Sequence, residues 1–498
     1  MMAYIKSYPN QNYLIPPKIT DLFPKNHVCY LIENIANNLD YSKFDQRYAG
    51  PGGPAYHPRI LIKLMMMAYV DGIKSSRKIA KNACENVVYI YLAEKTSPDF
   101  HTISDFRTDN KILVKKMFKQ VNSFAMEEGL IDLSHLMIDG TIIKADGNDN
   151  KSVDIKTLDK LNDYVDKMVE EGIKIDEEEN KKFGNKAMNQ MPEDLNDSEK
   201  RRPIVQRIVK EINKAMIEDR KEDVQKIKED INKIKSDMQD KELKKYNFTD
   251  PDARFMLNKK GKKEMSYNAQ VTVEKHGLII SNDVVQNEDD RHQLIPNIKR
   301  VEEDFGQLSK ETKISADGGY LSEDITILDD KGLDIYMPTY GMQSEKDTSF
   351  DKINFKYDEK DDQYICPTGK IVKHTSNTKD KRYGYIMNYS CKDCPNCPHQ
   401  KMCCNNDKYR RISAPPHHKL VNRISEKMKT QEGKETYKLR KQTVEPAIGD
   451  IKQNKKFNGF LVRGLEKVKI EFNLVCTARN LVMINNMLKR KMSLSSNY

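Results

Sequence analysis

The sequence predicts an α/β protein with one mixed sheet, interrupted by two inserted segments. Three observations carry that expectation. Two short apolar runs, in HLMIDGTIIKADGN (135–148) and KISADGGYLSED (313–324), each lead into an Asp followed by Gly, so each reads as a strand delivering a carboxylate to its end. Around them, β-branched runs alternate with helical spacing, which is the element order of an α/β layer. Residues 150–246 depart from this pattern, being rich in Lys, Glu, Asp and Asn and poor in aromatics.

From the N-terminus, HPRILIKLMMMAYVDGIKSSRKIAK (57–81) reads as a helix opened by Pro58, a stop at Asp71-Gly72 and a second helix capped by Ser75 or Ser76. Residues 99–129 continue as helix, so 1–130 is expected to be a helical domain. Two helices joined by a Gly-containing turn suit a helix-turn-helix, with Arg77 and Lys78 as DNA contacts, or equally a plain bundle. Within 150–246, Val224, Ile227, Ile231, Ile234 and Met238 recur at spacings of three and four, predicting a helical hairpin or short coiled coil that could serve self-association. NAQVTVEKHGLIISNDVV (268–285) reads as a hairpin turning at Lys275-His276-Gly277. A helix from about Asp290 to Phe305 follows, with Asp290 as its cap, then the strand ending at Asp317, a helix near 321–331 and a strand over Leu333–Met337. The sheet core is thus expected from 131–149 and 247–345, flanked by a cysteine-rich insertion (346–425) and C-terminal helices (426–498).

Composition narrows the partners. Lys and Arg number 85 against 75 Asp and Glu, a formal charge of +10 that fits a polyanion. No basic segment followed by an apolar stretch marks a secretory signal, and the longest apolar run (60–70) is broken by Lys63 and too short to span a bilayer. A cytoplasmic chain without a membrane partner is expected, its nine Cys reduced or metal-bound.

If the strands ending at Asp139 and Asp317 are parallel neighbours, two like charges meet there, which is unfavourable unless a cation sits between them. A divalent-metal site gives the pair physical sense. Glu445 offers a third carboxylate among Arg440, Lys441 and Lys452; Pro446 behind it predicts a kink, or a helix that begins there. A solvated Glu beside cations is the plain alternative.

Six Cys lie between 366 and 404. Cys366 opens a Cys-Pro-x-Gly-Lys turn, Cys391, Cys394 and Cys397 are spaced three apart, and Cys403 and Cys404 follow. Four of Cys366, Cys391, Cys394, Cys397 and Cys403 would bind a structural Zn²⁺ in a zinc-ribbon-like unit; an iron–sulfur cluster or unliganded thiols are the alternatives. Lys408, Arg410 and Arg411 beside them would suit DNA contact.

Taken together, PAYHPRILIKLMMMAYVDGIKSSRKIAK (54–81), DFHTISDFRTD (99–109), MIDGTIIKA (137–145), TDPDARFM (249–256), YNAQVTVEKHGLII (267–280), ADGGY (316–320), VEPAIGDIK (444–452) and RGLEKVKIEFNLVCTARNL (463–481) resemble the DDE transposases of bacterial insertion sequences, in the IS four-like superfamily and its IS eleven-eighty-two type group. The resemblance implies an RNase H-like core whose catalytic acids are Asp139, Asp317 and Glu445, holding two Mg²⁺ or Mn²⁺ ions. It implies metal-dependent strand cleavage at the element's ends and transfer of the 3′-OH into target DNA. The partners would be double-stranded DNA, as terminal inverted repeats and target, and a second copy of the chain, with the protein on the nucleoid when bound. The family's Tyr–Arg–Glu–Lys signature falls on Tyr437, Arg440, Glu445 and Lys452 with one extra residue between Arg and Glu, leaving Lys441 as an alternative cation. Asp290 resembles a recurrent Asp of the group, and Glu466 is a rival third ligand. A domesticated, transposase-derived DNA-binding protein that no longer cuts is the alternative function, and a nuclease of another role a third.

Overall fold

A computed structural model describes residues 18–42, 44, 55–178, 202–217, 221–258, 261–339, 350–381, 383–404 and 407–495. The central sheet has six strands: β1 (His135–Lys144), β2 (Arg254–Leu257), β3 (Lys263–Glu274), β4 (Ile279–Val285), β5 (Lys313–Ser315) and β6 (Asp334–Tyr336). Its order is β4–β3–β1–β5–β6, with β2 pairing the opening residues of β3 on the β4 side. β1 is antiparallel to β3 and parallel to β5, which is parallel to β6. The mixed α/β layer expected from the alternating runs is present. The 268–285 hairpin forms as read; its turn is held by Glu274, a fully buried carboxylate that accepts the backbone N–H of Asp132, His276 and Leu278 at 2.8–2.9 Å.

Two cores lie on opposite faces of this sheet. One gathers Leu136 and Ile138 of β1 with α10 (Leu294–Phe305), α11 (Ile325–Asp330) and α12 (His418–Lys429), helices whose ranges complete the α/β layer. The other gathers Met137 and Ile143 with Tyr267, Val271 and Val273, and with α13 (Gln431–Gln453), α14 (Leu465–Ser495) and the N-terminal helices. Those helices are α1 (Val28–Asn37), α2 (Pro58–Val70), α3 (Ser76–Glu85), α4 (Val87–Leu92), α5 (Phe100–Asp109) and α6 (Lys111–Glu127). They pack on one another and on α14, in one core shared with the sheet. Local signals set their ends: Pro58 takes the first position of α2 behind His57, whose Nδ1 accepts the Arg59 N–H, and Asp99 caps α5 by accepting from His101 and Thr102. Ser75 stands at the N-cap of α3 without a side-chain bond to it.

The stretch TDPDAR (249–254) is a cap for the long α14. Asp250 accepts the Gly464 N–H and the Tyr267 hydroxyl, and Asp252 accepts the Leu465 N–H, so two carboxylates meet the positive end of that helix.

The charged insertion forms three helices, α7 (Ile155–Glu178), α8 (Pro203–Ile217) and α9 (Lys221–Asp240). Val224, Ile231 and Met238 of the predicted seam are buried, but against Leu158, Leu161 and Val165 of α7 and Ile208 and Ile212 of α8. The seam is therefore filled largely within the chain, by neighbouring helices of the insertion. The cysteine-rich insertion is a five-stranded antiparallel sheet of β7 (Lys356–Asp358), β8 (Gln363–Ile365), β9 (Ile371–Asp380), β10 (Gly384–Ser390) and β11 (Arg411–Ala414). No helix of the described residues is long and apolar enough to cross a membrane.

Candidate active site

β1 supplies the first carboxylate. The expectation that Asp139 ends or interrupts its strand is corrected: Asp139, Gly140 and Thr141 keep pairing with Val271, Gln270 and Ala269, and the strand runs on to Lys144. Gly140 is tolerated in mid-strand because a side chain there has no room, as described below. β5 supplies the second carboxylate. Its parallel register pairs His135 with Lys313, Leu136 with Ile314 and Met137 with Ser315, and His135 Nε2 lies 2.7 Å from Ser315 Oγ. Two residues farther along, the same register sets Asp139 level with Asp317. Asp317 opens a 3-10 turn, its Oδ1 accepting the Gly319 N–H at 2.6 Å.

The cation that the pair calls for is present as a side chain. Arg440 of α13 places Nη2 2.9 Å from Asp139 Oδ1 and is 5% exposed. Burial opposes its charge, yet Asp139 first, then Tyr437 and Asp317, raise its proton affinity above the ordinary guanidinium value. Arg440 Nε has no hydrogen bond among the described residues, and the guanidinium lies 5.9 Å from the Tyr437 ring. Of the two signature residues the resemblance would set against DNA, Arg440 points into the carboxylates and Tyr437 is half-buried beside it.

A third carboxylate converges here that the sequence assigned elsewhere. Asp290 does not cap α10, which begins at Leu294 behind Gln293 without a side-chain cap. Its Oδ1 accepts from Asn268 Nδ2 at 2.8 Å and Gln270 Nε2 at 2.6 Å, and lies so near β1 that a Cβ on Gly140 would meet it at 2.3 Å. From the point where a Gly319 side chain would begin, Asp317 Oδ1 is 2.9 Å away and Asp290 Oδ2 3.9 Å. Burial, reinforced by the Asp317 charge, pushes the Asp290 carboxyl above the usual range against the two amide bonds. Tyr320 closes the network, its buried hydroxyl donating to Gln270 Oε1 at 2.6 Å. Burial and the charges of Asp290, Asp139 and Asp317 hold that phenol well above its ordinary pKa. The sequence carries a signal for this cluster: Glu264, Ser266, Asn268, Gln270, Thr272 and Glu274 make one face of β3 wholly polar, opposite Val271 and Val273, and Asn268 and Gln270 are buried on it.

Glu445 stands apart. The helix does not begin at Pro446: α13 runs through it from Gln431 to Gln453, with Gln442, Glu445 and Pro446 all on its solvent side, where the carbonyl freed by proline can bond water. Five residues from Arg440, Glu445 is rotated about 140° around the helix from it. Glu445 is exposed and has no hydrogen bond or ion pair among the described residues. It shares its face with the exposed Lys441 and with Lys452, whose Nζ donates to the Ile142 carbonyl of β1 at 3.2 Å. The rival Glu466 is excluded from this region by its ion pair with Lys111 at the start of α14. Arg77 and Lys78 are exposed on α3, Arg77 with its guanidinium 4.5 Å from the Phe100 ring. The turn before α3 docks on the loop after α13, through Lys74 Nζ to the Lys456 carbonyl and Lys455 Nζ to the Val70 carbonyl.

In the cysteine-rich insertion, Cys366, Cys391, Cys394, Cys397, Cys403 and also Cys404 line one small cavity, and all are free thiols. Burial pushes Cys391 up to about 11. Among the described residues no group of three or more His, Cys, Asp or Glu side chains is arranged, as it stands, to hold a metal ion.

Two family models match the chain. Residues 365–484 match a transposase DDE domain, and residues 17–109 match a transposase domain, DUF772. The first match contains Glu445 and begins after Asp139 and Asp317. No curated protein and no solved structure matches. Both matches support a bacterial DDE transposase.

Proposed function

We propose that this protein is an insertion-sequence transposase of the IS four-like superfamily that nicks DNA at the element's ends and joins the resulting 3′-OH to target DNA. The observation that carries the reading is that Asp139, two residues past the last pair of the parallel β1–β5 ladder, and Asp317, two residues past it on the other side, both act on one buried guanidinium, that of Arg440. The strand order β4–β3–β1–β5–β6, antiparallel on one side of β1 and parallel on the other, supports an RNase H-like core.

The residues fit a hard divalent ion: oxygen ligands only, on rigid elements, in a place already stabilised by a positive charge. Asp139, Asp317 and Glu445 would hold Mg²⁺ or Mn²⁺, Glu445 by turning in from its exposed face of α13. Bound there, the ion supplies Lewis-acid stabilisation of the phosphoryl oxygens and of the attacking and leaving oxygens. The chain's own residues do the rest. Lys441 and Lys452 flank Glu445 and would seat backbone phosphates, and Arg77 and Lys78 would extend that surface along the duplex. Arg440 neutralises the carboxylates until the ion and the DNA arrive, then is free to hold a phosphate. A cleaving enzyme is favoured over a DNA-binding relic because the carboxylates and their counter-ion are all kept.

The test is cleavage of a labelled duplex carrying the element's own end, with Mg²⁺ or Mn²⁺, comparing the native protein with Asp317→Asn and Glu445→Gln. Metal-dependent nicking at the end that both variants lose supports the reading. End-binding without nicking by the native protein moves it to the DNA-binding alternative, and nicking that survives Asp317→Asn places the active site elsewhere.

A further inference from the structure

The cysteine-rich insertion has a core too small for its size. Its buried residues are Phe355, Tyr364, Val372, Tyr389, Ile412 and Ala414 together with four cysteines. A five-stranded sheet with so few large apolar side chains needs another source of stability, and a bound metal is the common one in units of this kind.

The sulfurs are gathered for it. They line a cavity of about 20 Å³, closed by Phe350, Phe355 and Val372. Cys394 is the hub, its thiol contacting those of Cys391 and Cys404, while Cys403 contacts Cys404. Two backbone amides donate to sulfur: Lys370 N–H to Cys366 at 3.2 Å and Arg410 N–H to Cys394 at 3.4 Å. The first belongs to a tight turn in which Gly369 N–H bonds the Cys366 carbonyl and Cys366 N–H bonds the Lys370 carbonyl. Amides aimed at sulfur suit thiolates, which accept hydrogen bonds far better than thiols do. Cys397 lines the same cavity and is half-buried like Cys366, but unlike Cys366 it has no donor to its sulfur among the described residues, and it is not among the thiols in contact with Cys394 or Cys404.

We infer that this insertion holds a Zn²⁺ ion through thiolates drawn from Cys366, Cys391, Cys394, Cys403 and Cys404, with Cys394 indispensable, Cys404 a ligand and Cys397 not one. Each ligating thiol gives its proton to water as the ion binds, and no oxidant or reductant is involved. The ion ties the turn at 366–370 at one end of β8 and β9 to the 391–404 segment after β10. It is independent of the carboxylate site, so it stands or falls separately from the transposase reading.

The experiment uses the full chain purified under reducing conditions. Zinc is measured by mass spectrometry, and a mercurial reagent is titrated into the native protein while released zinc is followed with a chromogenic chelator. About one zinc per chain, released as about four thiols react, is expected for a closed thiolate site. Co²⁺ in its place should give the strong sulfur-to-cobalt band of a tetrahedral thiolate centre. Cys394→Ser and Cys404→Ser should lose the metal, and Cys397→Ser and the remote Cys84→Ser should keep it. Because the mercurial titration is made on the native chain, a serine variant that fails to fold does not decide the matter. Native protein without zinc or cobalt binding overturns the inference, as does an iron–sulfur chromophore, or metal loss in Cys397→Ser equal to that in Cys394→Ser.

Discussion

Arg440 Nη2 lies 2.9 Å from Asp139 Oδ1, with Arg440 almost wholly buried and Asp139 only 13% exposed. An ion pair this deep is costly to break from one side, because the remaining charge has no solvent to return to. Arg440→Gln leaves Asp139 beside Asp317 without its counter-ion. We expect a loss of about 3 kcal/mol in metal-free stability, seen as a lower Tm, and a larger Mn²⁺-induced rise in Tm than the native protein shows. Equal Mn²⁺ shifts in the two proteins would mean that the guanidinium does not occupy a cation's place.

Gly140 is fixed by crowding, since a Cβ there would sit 2.3 Å from Asp290 Oδ1 and 2.5 Å from Gln270 Nε2. Gly140→Ala should cost about 1–3 kcal/mol as both side chains are pushed aside. Adding Asp290→Ala should recover part of that cost. Denaturant midpoints of the single and double variants check this, and an additive pair would show that Asp290 is not what excludes a side chain at 140.

Asp290 has one oxygen tethered by two amides and the other turned toward Asp317, which is how a carboxylate that orients a metal site is held. Asp290→Asn keeps the size and an acceptor for Asn268 and Gln270, so the fold should survive. Cleavage and Mn²⁺ affinity should both fall, by about 10–100-fold. Calorimetric Mn²⁺ titration separates this from a purely structural role, in which affinity would not change.

The sheet was readable because short apolar runs are local signals, although Asp139-Gly140, read as a strand end, lies in mid-strand. What was not readable depends on approach across the sheet. Asp290 looked like a helix cap because it precedes α10, and only the approach of its loop to Gly140 and Gly319, the one far away in sequence and the other beyond the next helix, brings it near Asp317. Arg440 was readable only as a cation near Glu445; its burial against Asp139 follows from how α13 packs on β1. Pro446 looked like a kink or a helix start, and α13 runs through it because it falls on the wet side of the helix.

The apolar residues of α9 looked equally suited to a partner chain or to neighbouring helices, since a three-four spacing does not say which. In the fold, Ile231 is 3% exposed among residues of α7 and α8. Ile231→Ala should destabilise the insertion by about 2–4 kcal/mol through the cavity it leaves. It should leave the molar mass from light scattering unchanged. A shift in mass on substitution would return the seam to a self-association role.

His135, at the start of β1, is buried against Ser315, and burial with the nearby Lys313 and Lys275 lowers its pKa to about 4. A histidine whose folded pKa lies below its unfolded value of about 6.5 binds protons more readily when unfolded, so acid favours unfolding. Its contribution is complete above about pH 6.5 and is lost as the pH falls toward 4. Over that window it removes on the order of 3 kcal/mol. His135→Asn, which retains a polar partner for Ser315, should flatten that part of the stability profile while carboxylates still titrate in both proteins. The difference between the two denaturation curves from pH 7 to pH 4 isolates the histidine; parallel curves would show that it is not held neutral in the fold.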